Sequence, residues 1–69
     1  MENTKLSGTI RKNIQTGKKV EIVQKHHQRS GVLTEGIVKR ILTNALTHPH
    51  GIKVQLETEE IGRVKNVLI

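Results

Sequence analysis

Neither cysteine nor an aromatic residue (Phe, Tyr or Trp) occurs in the 69-residue sequence. Without cysteine, the chain has no disulfide framework and no thiolate zinc site. Because small secreted domains usually depend on disulfides, we expect a cytoplasmic protein. Without aromatic residues, the core has to be built from Ile, Val and Leu, and the length allows a single domain.

Long apolar runs and catalytic motifs are missing as well. No apolar run is long enough for a membrane span, and residues 1–8 lack the apolar stretch of a signal peptide, so we expect a soluble chain with no membrane partner. The sequence contains no Asp, no recognisable nucleophile context around Ser7 or Ser30, and no Gly-rich phosphate-binding motif. We therefore predict that the protein is not an enzyme and takes no cofactor or small-molecule substrate.

Positive charge is abundant but unevenly distributed. The formal net charge is +6, and residues 1–40 hold nine Lys or Arg against three Glu. Residues 41–69 hold three basic and three acidic residues and are neutral overall. A basic excess of this kind attracts polyanions, of which phosphate backbones are the commonest.

Alternation of apolar and polar residues predicts several short strands. Residues 1–7 are polar and are predicted to be disordered, and residues 8–69 form the single domain, with Ile10 and Ile14 anchoring its start. Strands are predicted at 19–25, after a turn at Thr16-Gly17, and then at 52–57 and 61–67. Polar loops at 26–31 and 47–51 separate them.

The segment from Thr34 to Leu42 permits two interpretations. Apolar residues between Ile37 and Leu46 recur at helical spacing, which would allow a helix and even a DNA-binding helix-turn-helix over 34–46. Gly36 and the β-branched residues favour a strand, and the change of phase between Val38 and Ile41 is typical of a bulge. We predict a bent, bulged strand, and with it a small all-β barrel of four to five short, mostly antiparallel strands.

Two sets of residues resemble known proteins. The patterns Gly17-x-x-Val20-x-Ile22 and Gly36-x-Val38-x-x-Ile41 resemble the KOW-type arrangement of SH3-like barrels in ribosomal proteins and transcription elongation factors. More closely, the chain resembles the YwbE-like family of small uncharacterised microbial proteins, over about residues 8–67. The matching stretches are Gln28–Gly31, Gly36–Lys39, Ile41–Asn44, Thr47–Val54 and Gly62–Lys65. The resemblance implies a small SH3-like (KOW-like) barrel and an expectation of RNA binding, although Thr58-Glu59-Glu60 replaces the Gly-containing hairpin turn expected in such a barrel.

Basic residues and histidines on the predicted strands and loops are the candidate phosphate contacts. We expect Lys53 to lie near Arg63 or Lys65 in an antiparallel pair, on a face with Glu57 as its one acid. The full predicted set is Lys19, Lys25, Arg29, Lys39, Arg40, His48, His50, Lys53, Arg63 and Lys65. Among these, Arg29, His48, His50, Lys53 and Arg63 are the residues we expect to form one surface.

The pairs His26-His27 and His48-x-His50 have the spacing of imidazole metal ligands, but no cysteine supports them and adjacent side chains point apart in extended backbone. We predict no metal site and assign the histidines to local hydrogen bonds or phosphate contacts.

The missing aromatic residues also restrict how nucleic acid is bound. Single-strand binders commonly stack bases on Phe, Tyr or Trp, so recognition here has to rely on charge and shape. We predict a module that binds the phosphate backbone of structured or ribosomal RNA, with ribosomal or RNA-processing proteins as further partners. The alternative is a protein-interaction module that uses a sheet edge or a barrel groove.

Overall fold

Five strands and two short 3-10 turns make up the computed structural model, which describes residues 5–68. The strands are β1 (Lys5–Ser7), β2 (Lys19–Gln24), β3 (Thr34–Ile41), β4 (Lys53–Leu56) and β5 (Ile61–Leu68). The 3-10 turns are Arg11–Asn13 and Lys25–His27. Within the described range there is no α-helix, and therefore none that is long and apolar enough to cross a membrane.

Strand β5 closes the sheet into a barrel. One of its edges pairs with β2, and the other pairs with β4 near Gly62 and with β1 near Val67, all antiparallel. Because β2 pairs with β3 and β3 pairs with β4, the strands β2-β3-β4-β5 form a closed four-stranded barrel to which β1 is added. This architecture confirms the predicted all-β small barrel.

The interior of the barrel is entirely aliphatic, as the composition predicts. Alternate residues of the four barrel strands point inward, and all of the buried side chains are Ile, Val or Leu. They are Ile14, Val20, Ile22, Val38, Ile52, Val54, Leu56, Val64 and Val67, with Ile41 packed against them. Ile14 belongs to this core, which agrees with its predicted anchoring role, whereas Ile10 is half-buried and pairs with Thr47.

Two register shifts bend the barrel strands. On β3, Val38 pairs with Leu56 and Arg40 with Gln55, so Lys39 is the extra residue of a bulge. This confirms the bulged strand predicted for 34–42, and the helical interpretation of 34–46 is wrong. On β5, the extra residue is Lys65, opposite the Glu21-Ile22 step of β2.

The N-terminal segment differs in part from the prediction of disorder over residues 1–7. Residues 1–4 lie outside the described range, but Lys5–Ser7 forms β1 on the edge of β5. Strand β1 carries one large apolar residue, Leu6, so its sequence shows no alternation of apolar and polar residues that would predict a strand. Pairing with the C-terminal half of β5 supplies the backbone hydrogen bonds that make it a strand.

The turn between β4 and β5 is closed without glycine. Glu59 has a φ of 80°, the left-handed region in which glycine is usual. Its N–H donates to the Leu56 carbonyl (2.9 Å), and its carboxylate accepts hydrogen bonds from Lys39 Nζ and Gln55 Nε2 (both 2.8 Å). Side-chain partners on β3 and β4 therefore hold this residue in a backbone conformation that it adopts only at a cost of about 1–2 kcal/mol.

Backbone segments meet closely around the carbonyl of Val64. A Cβ atom built on Gly8 would lie 2.2 Å from the Val64 oxygen, and one built on Gly51 would lie 2.3 Å from it. Gly51 also has a φ of 102°. Ile52 N–H donates to the Gly8 carbonyl and Val64 N–H to the Ile52 carbonyl, both at 2.8 Å. Backbone hydrogen bonds therefore link the segments of Gly8, Ile52 and Val64 in that order. A side chain at Gly8 or Gly51 would prevent this close spacing.

Replacement of Gly51 tests this junction. Gly17→Ala is the matched control, because Gly17 also has a positive φ (89°) but has open space around a built Cβ. We expect Gly17→Ala to lower the free energy of unfolding by about 1–2 kcal/mol, the cost of the left-handed backbone alone. Gly51→Ala adds a backbone clash and is expected to cost at least about twice as much. Urea denaturation measures both, and equal losses would contradict the close approach to Val64.

Candidate nucleic-acid interface

Arg63 occupies the centre of the outer face formed by β2, β5 and β4. In the strand register it lies opposite Val23 on β2 and opposite Lys53 on β4. Neighbouring strands are separated by about 4.8 Å, so the backbones of Arg63 and Lys53 are adjacent. This confirms the expected proximity of Lys53 to a basic residue of β5.

Two adjoining surface depressions, of about 590 Å³ and 460 Å³, lie on either side of Arg63. Both are lined by Val23, Gln28 and Arg63, so they form one continuous feature, which we call the basic groove. Its cationic or potentially cationic lining residues are Lys25, His50, Lys53, Arg63 and Lys65. Among the residues that the structure describes, no Asp or Glu lines the groove.

The side chain of Arg63 is held in position by the loop that precedes β4. Its Nη1 donates a hydrogen bond to the Gly51 carbonyl at 3.1 Å, and the residue is half-buried. This bond uses one of the five N–H groups of the guanidinium. The planar group is therefore oriented by the protein itself, at a residue that lines both depressions. A guanidinium has the geometry suited to bidentate contact with a phosphate.

The histidine pair lies in the same loop. His48 Nδ1 accepts a hydrogen bond from the His50 N–H at 3.1 Å, and the two ring centroids are 5.8 Å apart. Partial burial, and then the positive charges of Arg63 and His50, lower the pKa of the His48 imidazole below 6.5. An Nδ1 atom that accepts a hydrogen bond carries no proton, so the loop geometry and the pKa both indicate a neutral His48 at pH 7.

Lys19 and Lys39, by contrast, lie in ion pairs outside the groove. Lys19 Nζ is 3.0 Å from a Glu35 carboxylate oxygen, and Lys39 Nζ is 2.8 Å from one of Glu59. The hydrogen bond and charge of Lys39, with a smaller contribution from Arg40, lower the pKa of Glu59 below 4.5. Lys19, Lys39 and Arg40 were all predicted as phosphate contacts. They lie on or beside β3 instead, close to the carboxylates of Glu35 and Glu59.

Arg29 is exposed in the turn after the Lys25–His27 3-10 turn, next to Gln28, and is not among the lining residues of the groove. Of the five residues expected to form one surface, His50, Lys53 and Arg63 line the groove, and His48 adjoins it through His50 and Arg63. Lys25 and Lys65 complete the cationic lining. The predicted set is thus divided between the groove and the β3 side of the barrel.

Three uncharged residues of the groove could not be predicted from the sequence as members of a binding site. Ser7, Thr9 and Gln28 line it beside Arg63 and Lys65. They are separated by up to 58 residues from their groove neighbours, and isolated hydroxyl and amide residues form no motif. The β1–β5 pairing and the Val64 junction bring them together, and neither could be inferred from local patterns.

Across the described residues there is no group of three or more His, Cys, Asp or Glu side chains placed to hold a metal ion. His26 and His27 have ring centroids 4.0 Å apart and lie in the 3-10 turn after β2.

The fold and this surface define the class of protein, which is a small antiparallel barrel that carries a basic groove with no carboxylate among its described lining residues. The chain belongs to the family described as "Uncharacterized conserved protein (DUF2196)", whose model matches residues 7–67. It is 48% identical over 63 residues to the "Uncharacterized protein YwbE" of Bacillus subtilis (strain 168). The aligned region covers 91% of this chain and 97% of that protein. The comparisons confirm the predicted YwbE-like family. No solved structure matches the chain.

The lowered pKa of His48 predicts how the stability of the protein depends on pH. The folded protein binds a proton at His48 less readily than the unfolded chain, whose pKa is near 6.5, so the contribution of His48 is complete above that pH. We expect the free energy of unfolding to fall as the pH drops below 6.5, through the lower folded-state pKa. Urea denaturation at pH values from about 5 to about 8, in steps of about half a pH unit, measures this dependence of the free energy of unfolding.

His48→Gln is expected to remove that part of the pH dependence, whereas His26→Gln, which changes an exposed histidine outside the loop, is the control and should retain it. A wild-type slope that persists unchanged in His48→Gln would contradict the assignment.

Proposed function

We propose that the basic groove binds the phosphate backbone of RNA, in the cytoplasm, and that the protein works as an accessory factor on structured or ribosomal RNA. The observation that supports this proposal is the convergence of Lys25, Lys53, Arg63 and Lys65 on one groove, where no carboxylate of residues 5–68 is among the lining side chains. Cations brought together without counter-charges repel one another, and a polyanion relieves that repulsion.

The arrangement of these cations suits a repeating anion. Arg63 and Lys65 are two positions apart on β5, which spaces their backbones by about 7 Å, while Lys53 lies one strand away. Successive cations therefore extend along β5 as well as across to β4. A row of positive charges along a strand is complementary to a chain of phosphates rather than to a single small anion.

Apolar groove residues do not provide a base-reading platform. Val23 and Ile61 are aliphatic, and the chain has no aromatic side chain on which a base would stack. Binding should therefore depend on charge and be nearly independent of sequence. With about four phosphate contacts, the logarithm of affinity should fall against the logarithm of salt concentration with a slope of about −3 to −4.

Two charge-matched double variants test the proposal. Lys53→Gln with Lys65→Gln removes two exposed cations from the groove, and Lys19→Gln with Lys39→Gln removes two cations that are ion-paired elsewhere. Both variants lose the same net charge. We expect the groove variant to weaken binding to a labelled RNA hairpin at least about tenfold at low salt. It should also make the salt slope shallower by about 2.

The control variant is expected to stay close to wild type in both affinity and salt slope. Fluorescence anisotropy between about 50 and 200 mM salt measures both quantities. Wild-type protein that fails to bind the hairpin even at low salt would refute the proposal. Equal weakening in the two variants would refute the groove as the site, because net charge alone would then govern binding.

A further inference from the structure

The larger depression of the basic groove is lined by uncharged hydrogen-bonding groups as well as by cations. Ser7 ends β1, Thr9 is two positions further along the chain, and Gln28 directly follows the Lys25–His27 turn. They share the larger depression with Arg63 and Lys65. Hydroxyl and amide groups beside two cations are placed to contact a neutral polar group adjacent to an anion.

The two hydroxyls form an ordered pair. Ser7 Oγ and Thr9 Oγ1 are 2.7 Å apart, and the Thr9 N–H donates to Ser7 Oγ at 3.2 Å. Asn13 Nδ2 donates to the Ser7 carbonyl at 3.2 Å, and the Thr9 carbonyl accepts from the His48 N–H at 3.0 Å. The bond between the hydroxyls uses one of their two O–H donors, whichever residue donates it. Within residues 5–68 the second O–H donates no hydrogen bond, so it can donate to a partner in the groove.

We infer that Ser7 and Thr9 bind the ribose 2′-hydroxyl of a nucleotide whose phosphate contacts Arg63 and Lys65. The inference rests on the proposed function and adds to it a means of distinguishing RNA from DNA. A protein that reads only the backbone can tell the two apart by shape and by the 2′-hydroxyl, which both donates and accepts hydrogen bonds. A hydroxyl pair with a remaining donor and lone pairs matches that group.

The strongest alternative use of these residues is structural. The Ser7–Thr9 pair closes the turn after β1, and its loss could act on the fold rather than on a ligand. The two roles differ in one measurable respect. A structural role changes affinity for every ligand of the groove alike, whereas a 2′-hydroxyl contact changes affinity only for ligands that carry the 2′-hydroxyl.

The test compares two labelled duplex hairpins of one sequence, one of RNA and one of 2′-fluoro RNA. The 2′-fluoro duplex keeps the A-form shape and the phosphates but has no 2′-hydroxyl. The proteins are wild type, the double variant Ser7→Ala with Thr9→Val, and Thr58→Val. Thr58→Val is the control, since it removes an exposed threonine hydroxyl in the β4–β5 turn, outside the groove.

We expect wild type and Thr58→Val to bind RNA about five- to tenfold more tightly than 2′-fluoro RNA, the effect of one or two neutral hydrogen bonds. The double variant should bind both hairpins with the affinity that wild type has for 2′-fluoro RNA. Equal wild-type affinity for the two hairpins would overturn the inference and leave the proposed function standing. A double variant that retains the preference for RNA, or that weakens both hairpins alike, would also overturn it. Absence of binding to either hairpin at low salt would instead refute the proposed function.

Discussion

The close approach of backbone around the Val64 carbonyl is the constraint on which the rest of the structure depends. Gly8 and Gly51 both lie where a side chain would overlap the Val64 oxygen. Their absence of a Cβ lets the chain run in a row of hydrogen bonds from Gly8 through Ile52 to Val64. This row attaches two segments to β5, namely the turn after β1, which contains Gly8, and the loop before β4, which contains Gly51 and Ile52. The same two segments line the groove beside Arg63, so the backbone contacts that close the fold also assemble the candidate site.

Charge is segregated in space in a way that its distribution along the chain conceals. The excess of basic residues lies in residues 1–40, yet three groove cations, Lys53, Arg63 and Lys65, come from the neutral part of the chain. Its acids, Glu57, Glu59 and Glu60, all fall in and beside the β4–β5 turn, away from the groove lining.

Among the basic residues of 1–40, Lys25 lines the groove, whereas two others lie in ion pairs. Lys19 and Lys39 are paired with Glu35 and Glu59 on the β3 side. On β2, Glu21 accepts a hydrogen bond from Asn66 Nδ2 of β5 at 3.0 Å. Local electrostatic potential is therefore set by which strands are neighbours, and net charge per segment is a poor guide to it.

Features encoded by residues close together in the sequence could be predicted. Alternation identified β2, β4 and β5, and the change of phase at Val38 identified the bulge on β3. Pairing of Lys53 with β5 followed from an antiparallel hairpin with a short turn. Strand β1 could not be predicted, because its stability comes from pairing with β5 some 60 residues away. The left-handed backbone of Glu59 could not be predicted, because its side-chain partners are not marked by any local motif. Lys39 is 20 residues away on β3, and Gln55 is a polar residue of the alternating pattern of β4.

The lack of aromatic residues gains a more definite meaning from the geometry of the groove. An aliphatic barrel cannot distinguish bases by stacking, so any selectivity has to come from groups that face the sugar and the phosphate. Cations supply attraction that any polyanion satisfies, since Coulomb forces do not discriminate ribose from deoxyribose. In the proposed complex with RNA, the hydroxyl groups in the larger depression would add a short-range requirement that depends on one oxygen atom, that of the ribose 2′-hydroxyl. Discrimination would then arise from the junction at Val64, which places Ser7 and Thr9 beside Arg63, rather than from the charges themselves.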